Sequence, residues 1–235
     1  NKKSPIDING LIWMNTIENM KSQIKEKIES GFKCLKLKIG ALDFEEEYNL
    51  LGLIRKEFPS DLEIRVDANG AFSTDSALDK LNRLEKFKIH SVEQPIKAGQ
   101  WGEMANLCAK SQVPIALDEE LIGINTESGR KLMLQIIKPQ YIVLKPTLLG
   151  GFQLSQEWIE LSHDAQIGWW VTSALESNIG LNAISQWASS LRNNMYQGLG
   201  TGQLYTNNVS SPLEIKQGKL LYNTALKWDL SPLGW

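Results

Sequence analysis

The sequence predicts an α/β protein that folds as a (β/α)8-type barrel, a modified TIM barrel, with a packed C-terminal tail. Short β-rich runs alternate with amphipathic stretches at a period of roughly 22 to 30 residues, which suits parallel strands joined by crossover helices. Ionisable side chains interrupt the apolar runs near their carboxyl ends. The count of eight runs favours a closed barrel over an open doubly wound sheet, and no GxGxxG turn follows the first run.

The predicted elements follow from the apolar pattern. Ile17, Met20, Ile24 and Ile28 recur at three- and four-residue steps, for example, which is typical of an amphipathic helix. The predicted helices include residues 16–30, 43–58, 73–87, 152–166 and 178–191. The predicted strands are residues 11–14, 34–39, 62–68, 91–96, 114–119, 141–146, 169–174 and 196–200.

One domain is expected, residues 1–235, because the chain shows no internal linker, residue repeat or low-complexity tract. Residues 8–202 would form the barrel. Residues 203–235 are expected to form a loop-rich segment that packs on it, with short strands at KLLY (219–222) and LKWD (226–229) at most.

Composition excludes several classes of protein. Lys plus Arg total 25 and Asp plus Glu 27, and the net charge of −2 offers no broad basic field for nucleic acid or an anionic membrane. No apolar run approaches the ~18 residues that span a bilayer. No signal-peptide core is visible, so a cytoplasmic protein is expected. Cys34 and Cys108 match no disulfide framework or zinc pattern and are expected to be structural thiols; the oligomeric state stays open.

Charged side chains stand at or near the carboxyl ends of five successive predicted strands. In a (β/α)8 barrel the catalytic groups lie at that end, where the βα loops open. A charge in the barrel interior is costly unless it is paired or bound to a metal, so this arrangement indicates a functional cluster. Its members are Lys36, Lys38, Asp67, Glu93, Asp118, Glu119 and Lys145.

Three carboxylates of this cluster predict a metal site. Asp67, Glu93 and Asp118 follow one another at intervals of 26 and 25 residues, one β-α unit each time, so they should lie on three adjacent strands. Convergent carboxylates without a nearby His or Cys suit a hard cation, first of all Mg²⁺, with Mn²⁺ as a substitute. Unrelated salt bridges to Lys and Arg are the alternative.

The lysines predict proton-transfer chemistry. Lys36 and Lys38 are two residues apart and therefore point to the same side of one strand, and Lys145 on the sixth strand should face Lys38 across the ring. A substrate between them would have an ammonium group on either face. A lysine could then remove an acidified C–H proton while the metal holds the resulting enediolate. Lysines that extend from the strand ends to solvent are the alternative.

Five motifs carry these residues: KLK (36–38), VDANGAF (66–72), VEQPI (92–96), ALDEEL (116–121) and VLKP (143–146). Together they resemble the barrel domain of the enolase superfamily. Paired lysines on strands two and six are similar to those of its muconate-lactonising branch. Within that branch, two further segments resemble the o-succinylbenzoate synthases of menaquinone biosynthesis, namely VTSALESNIGL (171–181) and LKPTLLGGF (144–152).

This resemblance implies a metal site and a reaction. Asp67, Glu93 and Asp118 would be the magnesium ligands, and Asn69 and Glu119 would support the metal site from around it. The implied reaction is the syn dehydration of 2-succinyl-6-hydroxy-2,4-cyclohexadiene-1-carboxylate to o-succinylbenzoate, with no cofactor besides the metal. The implied partner is therefore a small-molecule carboxylate substrate.

The same resemblance implies a role for each lysine. Lys38 would be the general base that takes the α-proton and then the acid that helps hydroxide to leave. Lys145 would stabilise the enediolate from the opposite face through a cation–π contact. Lys36 would tune Lys38 as a like-charged neighbour.

Ser173 and Ser177 follow the seventh predicted strand, just before the helix predicted from residue 178. Hydroxyls and free backbone N–H groups at a helix start suit a carboxylate, so both serines are candidate substrate-binding residues. N-capping of the helix by Ser177 is the alternative.

Other functions stay open from the sequence. Members of the superfamily have an α+β capping domain upstream of the barrel, and this chain, which starts at Asn1, is expected to lack it. An N-succinylamino acid racemase or dipeptide epimerase would use the same lysines as opposing acid and base. A non-catalytic barrel fragment would bind metal without turnover. A Schiff-base aldolase that uses Lys145 would leave the three carboxylates unexplained.

Overall fold

The computed structural model describes residues 4–234, which form a parallel barrel, surrounding helices and a small antiparallel sheet. The strands are short, as expected for apolar runs that end at charged or turn-forming residues. In chain order they are β1 (Ile6–Asp7), β2 (Gly10–Ile12), β3 (Cys34–Lys38), β4 (Glu63–Asp67), β5 (Ser91–Glu93), β6 (Ile115–Leu117), β7 (Tyr141–Leu144), β8 (Gly168–Val171), β9 (Leu213–Lys216) and β10 (Lys219–Tyr222).

The first, second and fifth helices of the described chain begin at side chains that accept hydrogen bonds from otherwise free backbone N–H groups. Thr16 accepts a hydrogen bond from the N–H of Asn19 at 3.4 Å, and Asp43 accepts one from Glu45 at 2.9 Å. None of the helices in residues 4–234 has the length and apolar character that crossing a bilayer requires. In chain order they are α1 (Ile17–Glu29), α2 (Phe44–Glu57), α3 (Thr74–Leu84), α4 (Trp101–Lys110), α5 (Glu127–Ile137), α6 (Phe152–Asp164) and α7 (Asn178–Ser190).

The barrel strands run parallel in the order β2-β3-β4-β5-β6-β7-β8, so each strand neighbours the next in the chain. Helices connect successive strands, as the crossover rule for parallel pairs requires. The predicted fold class is confirmed, and the five helices named from the sequence lie where they were expected. The end of the third continues as a 3-10 turn at Glu85–Phe87.

The closing segment of the barrel differs from the prediction of an eighth strand at residues 196–200. Between β2 and β8 the structure has isolated parallel bridges, Ile8 with Gln197 and Thr172 with Gly198, instead of a continuous strand. Gly198 lies so close to Thr172 that a Cβ there would be 2.1 Å from the threonine hydroxyl. A glycine is therefore required at this contact, and glycine weakens a regular ladder.

The core lies mainly between the barrel and the helices, with a second layer inside the barrel. Leu35, Leu37 and Val66 are fully buried on the helix side of their strands. Inside the barrel, the Arg65 guanidinium lies 4.1 Å from the centre of the buried Trp170 ring and donates to the carbonyl of Tyr196 at 2.9 Å. This cation–π pair fills the barrel interior below the charged cluster, and the cluster therefore packs on buried side chains.

The cysteines are both buried and unpaired. Burial raises the pKa of the Cys108 thiol to about 12, and it also raises the pKa of Cys34. Both thiols therefore stay protonated at neutral pH, in keeping with the structural role expected from the sequence.

The C-terminal segment forms an antiparallel sheet in the order β1-β10-β9. The strand predicted at KLLY is confirmed as β10, whereas the strand suggested at LKWD is wrong, because only Asp229 pairs there, in one bridge with Ser210. The sequence reading missed β9. A tight Gln217-Gly218 turn with positive φ at both residues joins β9 to β10, which is the backbone that two-residue hairpins favour.

His90 gives the fold a pH dependence. Its ring stacks on Tyr141 at 4.7 Å and meets the edge of Trp170 at 6.0 Å, and burial lowers its pKa from 6.5 to about 4. The unfolded chain therefore binds more protons than the native one between pH 6.5 and 4, and this stability is present above pH 6.5 and lost as the pH falls. Because the ring is partly exposed, we expect only about 1 kcal/mol of loss at pH 5.

The test is urea denaturation at pH 7 and pH 5 of the wild type and of His90→Phe, which keeps an aromatic ring. His90→Phe should lose less stability between the two pH values than the wild type does. His163→Asn, at the exposed end of α6, is the control and should follow the wild type. Equal pH dependence in all three proteins would contradict the prediction.

Candidate active site

A cavity of about 290 Å³ opens at the end of the barrel where the strands finish at their carboxyl ends. Lys36, Lys38 and Lys145 are among the residues that line it. The cavity therefore lies at the end of the barrel where the charged cluster was predicted from the sequence.

Lys36 occupies the centre of the charged cluster. Its Nζ lies 2.6 Å from Oε1 of Glu93 and 2.9 Å from Oδ2 of Asp67. Asp67 on β4 and Glu93 on β5 are direct partners in the parallel ladder, so the register itself places the two carboxylates side by side. All three side chains are buried, and one ammonium group thus holds two carboxylates.

Lys38 is held by a second set of contacts. Its Nζ lies 2.7 Å from Oδ2 of Asp67 and donates to Oδ1 of Asn69 at 2.6 Å. The amide of Asn69 in turn donates to Oε1 of Glu119 at 2.8 Å. Asn69 therefore orients Lys38 directly and Glu119 acts through Asn69, whereas the support of a metal site that the resemblance implies for both stays a prediction.

Lys145 follows β7 and forms an ion pair with Asp118, which follows β6. Burial alone would lower the pKa of Lys145, but the Asp118 carboxylate outweighs it and raises that pKa. The strand that carries Lys38 and the strand before Lys145 lie four apart in the barrel order. The two ammonium groups thus approach the cavity from separate sides, as the lysine spacing predicts.

Charge coupling shifts the pKa values around Lys36. Burial alone would lower the pKa of Lys36, but Glu93 and Asp67 outweigh it and raise that pKa. Burial alone would raise the pKa of Asp67, yet Lys36 and Lys38 hold it well below its usual range. Burial and the charge of Asp67 raise the pKa of Glu93 well above its usual range. A further positive charge beside Glu93 would favour its ionised form.

The three predicted metal ligands fit a divalent cation by their chemistry. Asp67, Glu93 and Asp118 are buried carboxylates at the ends of adjacent strands, and Oε2 of Glu93 is buried without a hydrogen-bond partner. As the side chains stand, however, residues 4–234 contain no group of three His, Cys, Asp or Glu side chains placed to hold a metal together. Each carboxylate instead contacts a lysine, so a cation would have to displace ammonium groups.

Gln94 is a residue of the site region that sequence reasoning missed. Its carboxamide donates to Oε2 of Glu120 and to the carbonyl of Ile96, both at 3.0 Å, and accepts from the backbone N–H groups of Asp118 and Glu120. It thereby ties the end of β5 to the turn that follows β6. Its φ of +39° is strained for a residue with a side chain. In the sequence, only its position between Glu93 and Pro95 pointed to an unusual backbone there.

The two predicted substrate-binding serines lie in different surroundings. Ser173 is buried and lines the cavity, and its hydroxyl shares a 2.6 Å hydrogen bond with that of Thr201. Ser177 is exposed, is not among the residues that line the cavity and makes no side-chain capping bond at the start of α7. The role of Ser173 as a substrate contact stays a prediction, and Ser177 lies outside the cavity.

The comparison with family models decides the classification. Residues 19–225 match the enolase C-terminal domain-like family. The chain belongs to this family. As a member of the enolase superfamily, it carries the strand-end lysines and carboxylates described above at the positions where its motifs resemble those of the superfamily.

Curated relatives share the chain's sequence over much of its length. An o-succinylbenzoate synthase of Desulfotalea psychrophila is 57% identical over 92% of this chain and 58% of its own length. An N-succinylamino acid racemase of Thermus thermophilus is 30% identical over 70% of this chain and 42% of its own length. The chain thus spans less than two thirds of either relative.

Solved structures agree with the fold. The crystal structure of MenC from Desulfotalea psychrophila has a TM-score of 0.87 and 55% identity, over 92% of this chain and 60% of that one. Muconate lactonizing enzyme from Pseudomonas putida has a TM-score of 0.85 at 22% identity, over 98% of this chain and 65% of that one. The second likeness supports the fold alone.

The Gln94–Glu120 contact predicts a large stability cost for a small change. In Gln94→Glu a buried carboxylate would face the Glu120 carboxylate, so the free energy of unfolding should fall by about 3 kcal/mol in urea denaturation. The double variant Gln94→Glu/Glu120→Gln exchanges donor and acceptor and should recover a large part of that loss.

Gln166→Glu is the matched control for this prediction. Gln166 also has a positive φ, but it is exposed, so the same substitution should change stability by less than about 0.5 kcal/mol. A double variant no more stable than Gln94→Glu would show that the facing carboxylates are not the cause.

Proposed function

We propose that the chain acts as a divalent-metal-dependent o-succinylbenzoate synthase, which dehydrates 2-succinyl-6-hydroxy-2,4-cyclohexadiene-1-carboxylate. The observation that carries this proposal is the 57% identity with a protein of that name over 92% of the chain. Lysines on both sides of one cavity support it, because the reaction needs a base near the α-carbon and positive charge opposite. The proposal treats residues 8–202 as the barrel and 203–235 as its packed segment; residues 1–3 and 235 lie outside the described residues.

The metal in this proposal is Mg²⁺, with Mn²⁺ as a substitute, held by Asp67, Glu93 and Asp118. This ligand assignment is supported by the burial of the three carboxylates and by the Oε2 atom of Glu93, which has no hydrogen-bond partner. The bound cation would supply a Lewis acid that offsets negative charge developing on the substrate carboxylate. Lys36, which lies between Glu93 and Asp67, would limit the net negative charge of this ligand set.

Lys38 would carry the proton in both halves of the reaction. In its neutral form, Nζ takes the α-proton from the ring carbon. The resulting ammonium group then gives that proton to the departing hydroxyl, so water leaves and the ring becomes aromatic. Asn69 fixes the direction of Lys38 through its 2.6 Å contact. Lys145 would offset the developing charge from the opposite side of the substrate.

A racemase or epimerase is the second candidate function. It is favoured by the approach of Lys38 and Lys145 from strands four apart, since racemisation needs an acid and a base on opposite faces of one carbon. The 30% identity with an N-succinylamino acid racemase supports it less strongly. Exchange of the α-proton of N-succinylated amino acids in D₂O would distinguish this activity from dehydration.

The first test is the conversion of the cyclohexadiene substrate, followed by ultraviolet absorbance, with Mg²⁺ and then with EDTA. We expect turnover with Mg²⁺ and its loss with EDTA, because the carboxylates are the proposed ligands. Thermal stabilisation by Mg²⁺ without turnover would instead favour a metal-binding barrel that needs another part of a longer protein. If Mg²⁺ produced neither turnover nor thermal stabilisation, that result would contradict the proposal.

Lys38→Ala separates proton transfer from metal binding. It should lower turnover by about a hundredfold or more, the usual contribution of a general base, while thermal stabilisation by Mg²⁺ stays close to that of the wild type. Lys110→Ala, at an exposed position of α4, is the control and should retain both. Wild-type turnover in Lys38→Ala would remove this residue from the mechanism.

A further inference from the structure

Strand pairing leaves the position of one candidate metal ligand unexplained. Asp67 on β4 and Glu93 on β5 are direct partners in the ladder. On its other side Glu93 pairs with Ala116, which leaves Asp118 two residues beyond that pair. Asp118 follows the end of β6, and its φ of −121° and ψ of −78° belong to neither a regular strand nor a regular helix. Contacts outside the ladder must therefore hold Asp118 in place relative to the other two carboxylates.

The main chain of Gln94 connects the segments that carry the three carboxylates. Gln94 directly follows Glu93, and its N–H donates to the carbonyl of Ala116 at 2.8 Å. Its own carbonyl accepts from the N–H of Gly70 at 2.7 Å. Gly70 lies three residues after Asp67, in the turn that follows β4. The backbone of Gln94 thus ties the end of β5 to both neighbouring strand ends.

The side chain of Gln94 holds the segment of Asp118 directly. Its Oε1 accepts from the N–H of Asp118 at 3.2 Å and from that of Glu120 at 3.3 Å, so one oxygen binds two N–H groups of the 3-10 turn that Asp118 begins. Its Nε2 donates to Oε2 of Glu120 and to the carbonyl of Ile96, both at 3.0 Å. Gln94 and Glu120 are both buried, so these bonds form where water does not compete for them.

The backbone of Gln94 is consistent with a positioning role. Its φ of +39° lies in a region that few residues with a side chain adopt. Such a backbone persists where the surrounding contacts over-determine it, and it is found preferentially at functional sites. The bonds to Asp118, Glu120 and Ile96 are contacts of this kind, and they place the carboxamide between the ends of β5 and β6.

The choice of cation makes the position of Asp118 important. Mg²⁺ requires nearly octahedral geometry with metal–oxygen distances of about 2.0–2.1 Å, whereas Ca²⁺ tolerates irregular geometry at about 2.3–2.6 Å. The three carboxylates contact lysines as the side chains stand, so they must turn to bind a cation. Their backbone positions limit where the turned oxygens can reach. A backbone shift at Asp118 should therefore weaken the binding of Mg²⁺ more than that of Ca²⁺.

We propose that Gln94 is a positioning residue for the metal site. It fixes Asp118 relative to Asp67 and Glu93, and it thereby sets the preference of the site for Mg²⁺ over larger divalent cations. This inference rests on the proposed function, which assigns the three carboxylates as ligands. Gln94 touches neither the metal nor the substrate in this proposal and acts through the backbone of Asp118.

The test is calorimetric titration of the full chain with Mg²⁺ and, separately, with Ca²⁺, without substrate. In Gln94→Asn the side chain is shorter by one carbon–carbon bond, about 1.5 Å, so the carboxamide no longer reaches the N–H of Asp118. Asparagine adopts a positive φ more readily, so this variant adds no backbone strain. We expect the affinity for Mg²⁺ to fall about tenfold or more, the usual cost of losing a contact that supports a ligand, while the affinity for Ca²⁺ stays within about threefold.

Gln140→Asn is the matched control. The carboxamide of Gln140 also accepts from an N–H of β6, that of Ile115 at 2.9 Å, and donates to the carbonyl of Cys108 at 3.3 Å, but it does so at the opposite end of the strand. The same shortening there should lower the melting temperature and leave the ratio of the Mg²⁺ and Ca²⁺ affinities unchanged. Gln94→Met keeps the length of the side chain without its amide and is the second variant, which should shift that ratio as Gln94→Asn does.

Each outcome decides the proposal. A shifted ratio in the Gln94 variants, with the wild-type ratio in Gln140→Asn, supports it. An unchanged ratio in a folded Gln94 variant, including an equal loss of affinity for both cations, overturns it and leaves the proposed function intact. An equal shift in Gln140→Asn also overturns it, because any loosening of β6 would then suffice. If the wild type binds neither cation, the ligand assignment of the proposed function fails, and the inference fails with it.

Discussion

Buried charge held against buried charge of the opposite sign is the constraint on which the rest of this structure depends. Lys36 lies between Asp67 and Glu93 and, together with Lys38, holds the pKa of Asp67 below its usual range, whereas burial and the Asp67 charge raise the pKa of Glu93. The parallel register fixes that arrangement, because it places Asp67 opposite both Lys38 and Glu93. Strand pairing thus brings Lys38, Asp67 and Glu93 together, and the loops that follow these strands do not have to position them.

The same charge balance has a cost in stability. Three lysines and three carboxylates compensate one another as the side chains stand, yet Oε2 of Glu93 stays unpaired. Buried pairs contribute little net stability, so the barrel carries these charges at a cost that hydrophobic side chains there would avoid. Retaining them makes sense where the charges act on a bound molecule.

Much of the fold could be predicted because two periodicities dominate the sequence. The alternation of strands and helices predicts the parallel strand order, and the charged residues at the strand ends predict the position of the candidate site. What sequence could not give depends on contacts between distant segments. The closing bridges at Gln197 and Gly198 have no ladder pattern, and the strained backbone of Gln94 is visible only from its partners. The orientation of Lys38 by Asn69 and Glu119 requires the end of β3 to meet the segments that follow β4 and β6.

The two bridges that close the barrel, Ile8 with Gln197 and Thr172 with Gly198, form its least continuous junction. Within the described chain, every other junction in the ring is a run of paired strand residues, whereas the 197–198 segment pairs only at single residues, with Ile8 before β2 and with Thr172 after β8. Local opening with the least loss of backbone hydrogen bonding would start there. Asn9 and Ser173 bond to this segment from opposite sides and both line the cavity, so the barrel closes along one wall of the cavity itself.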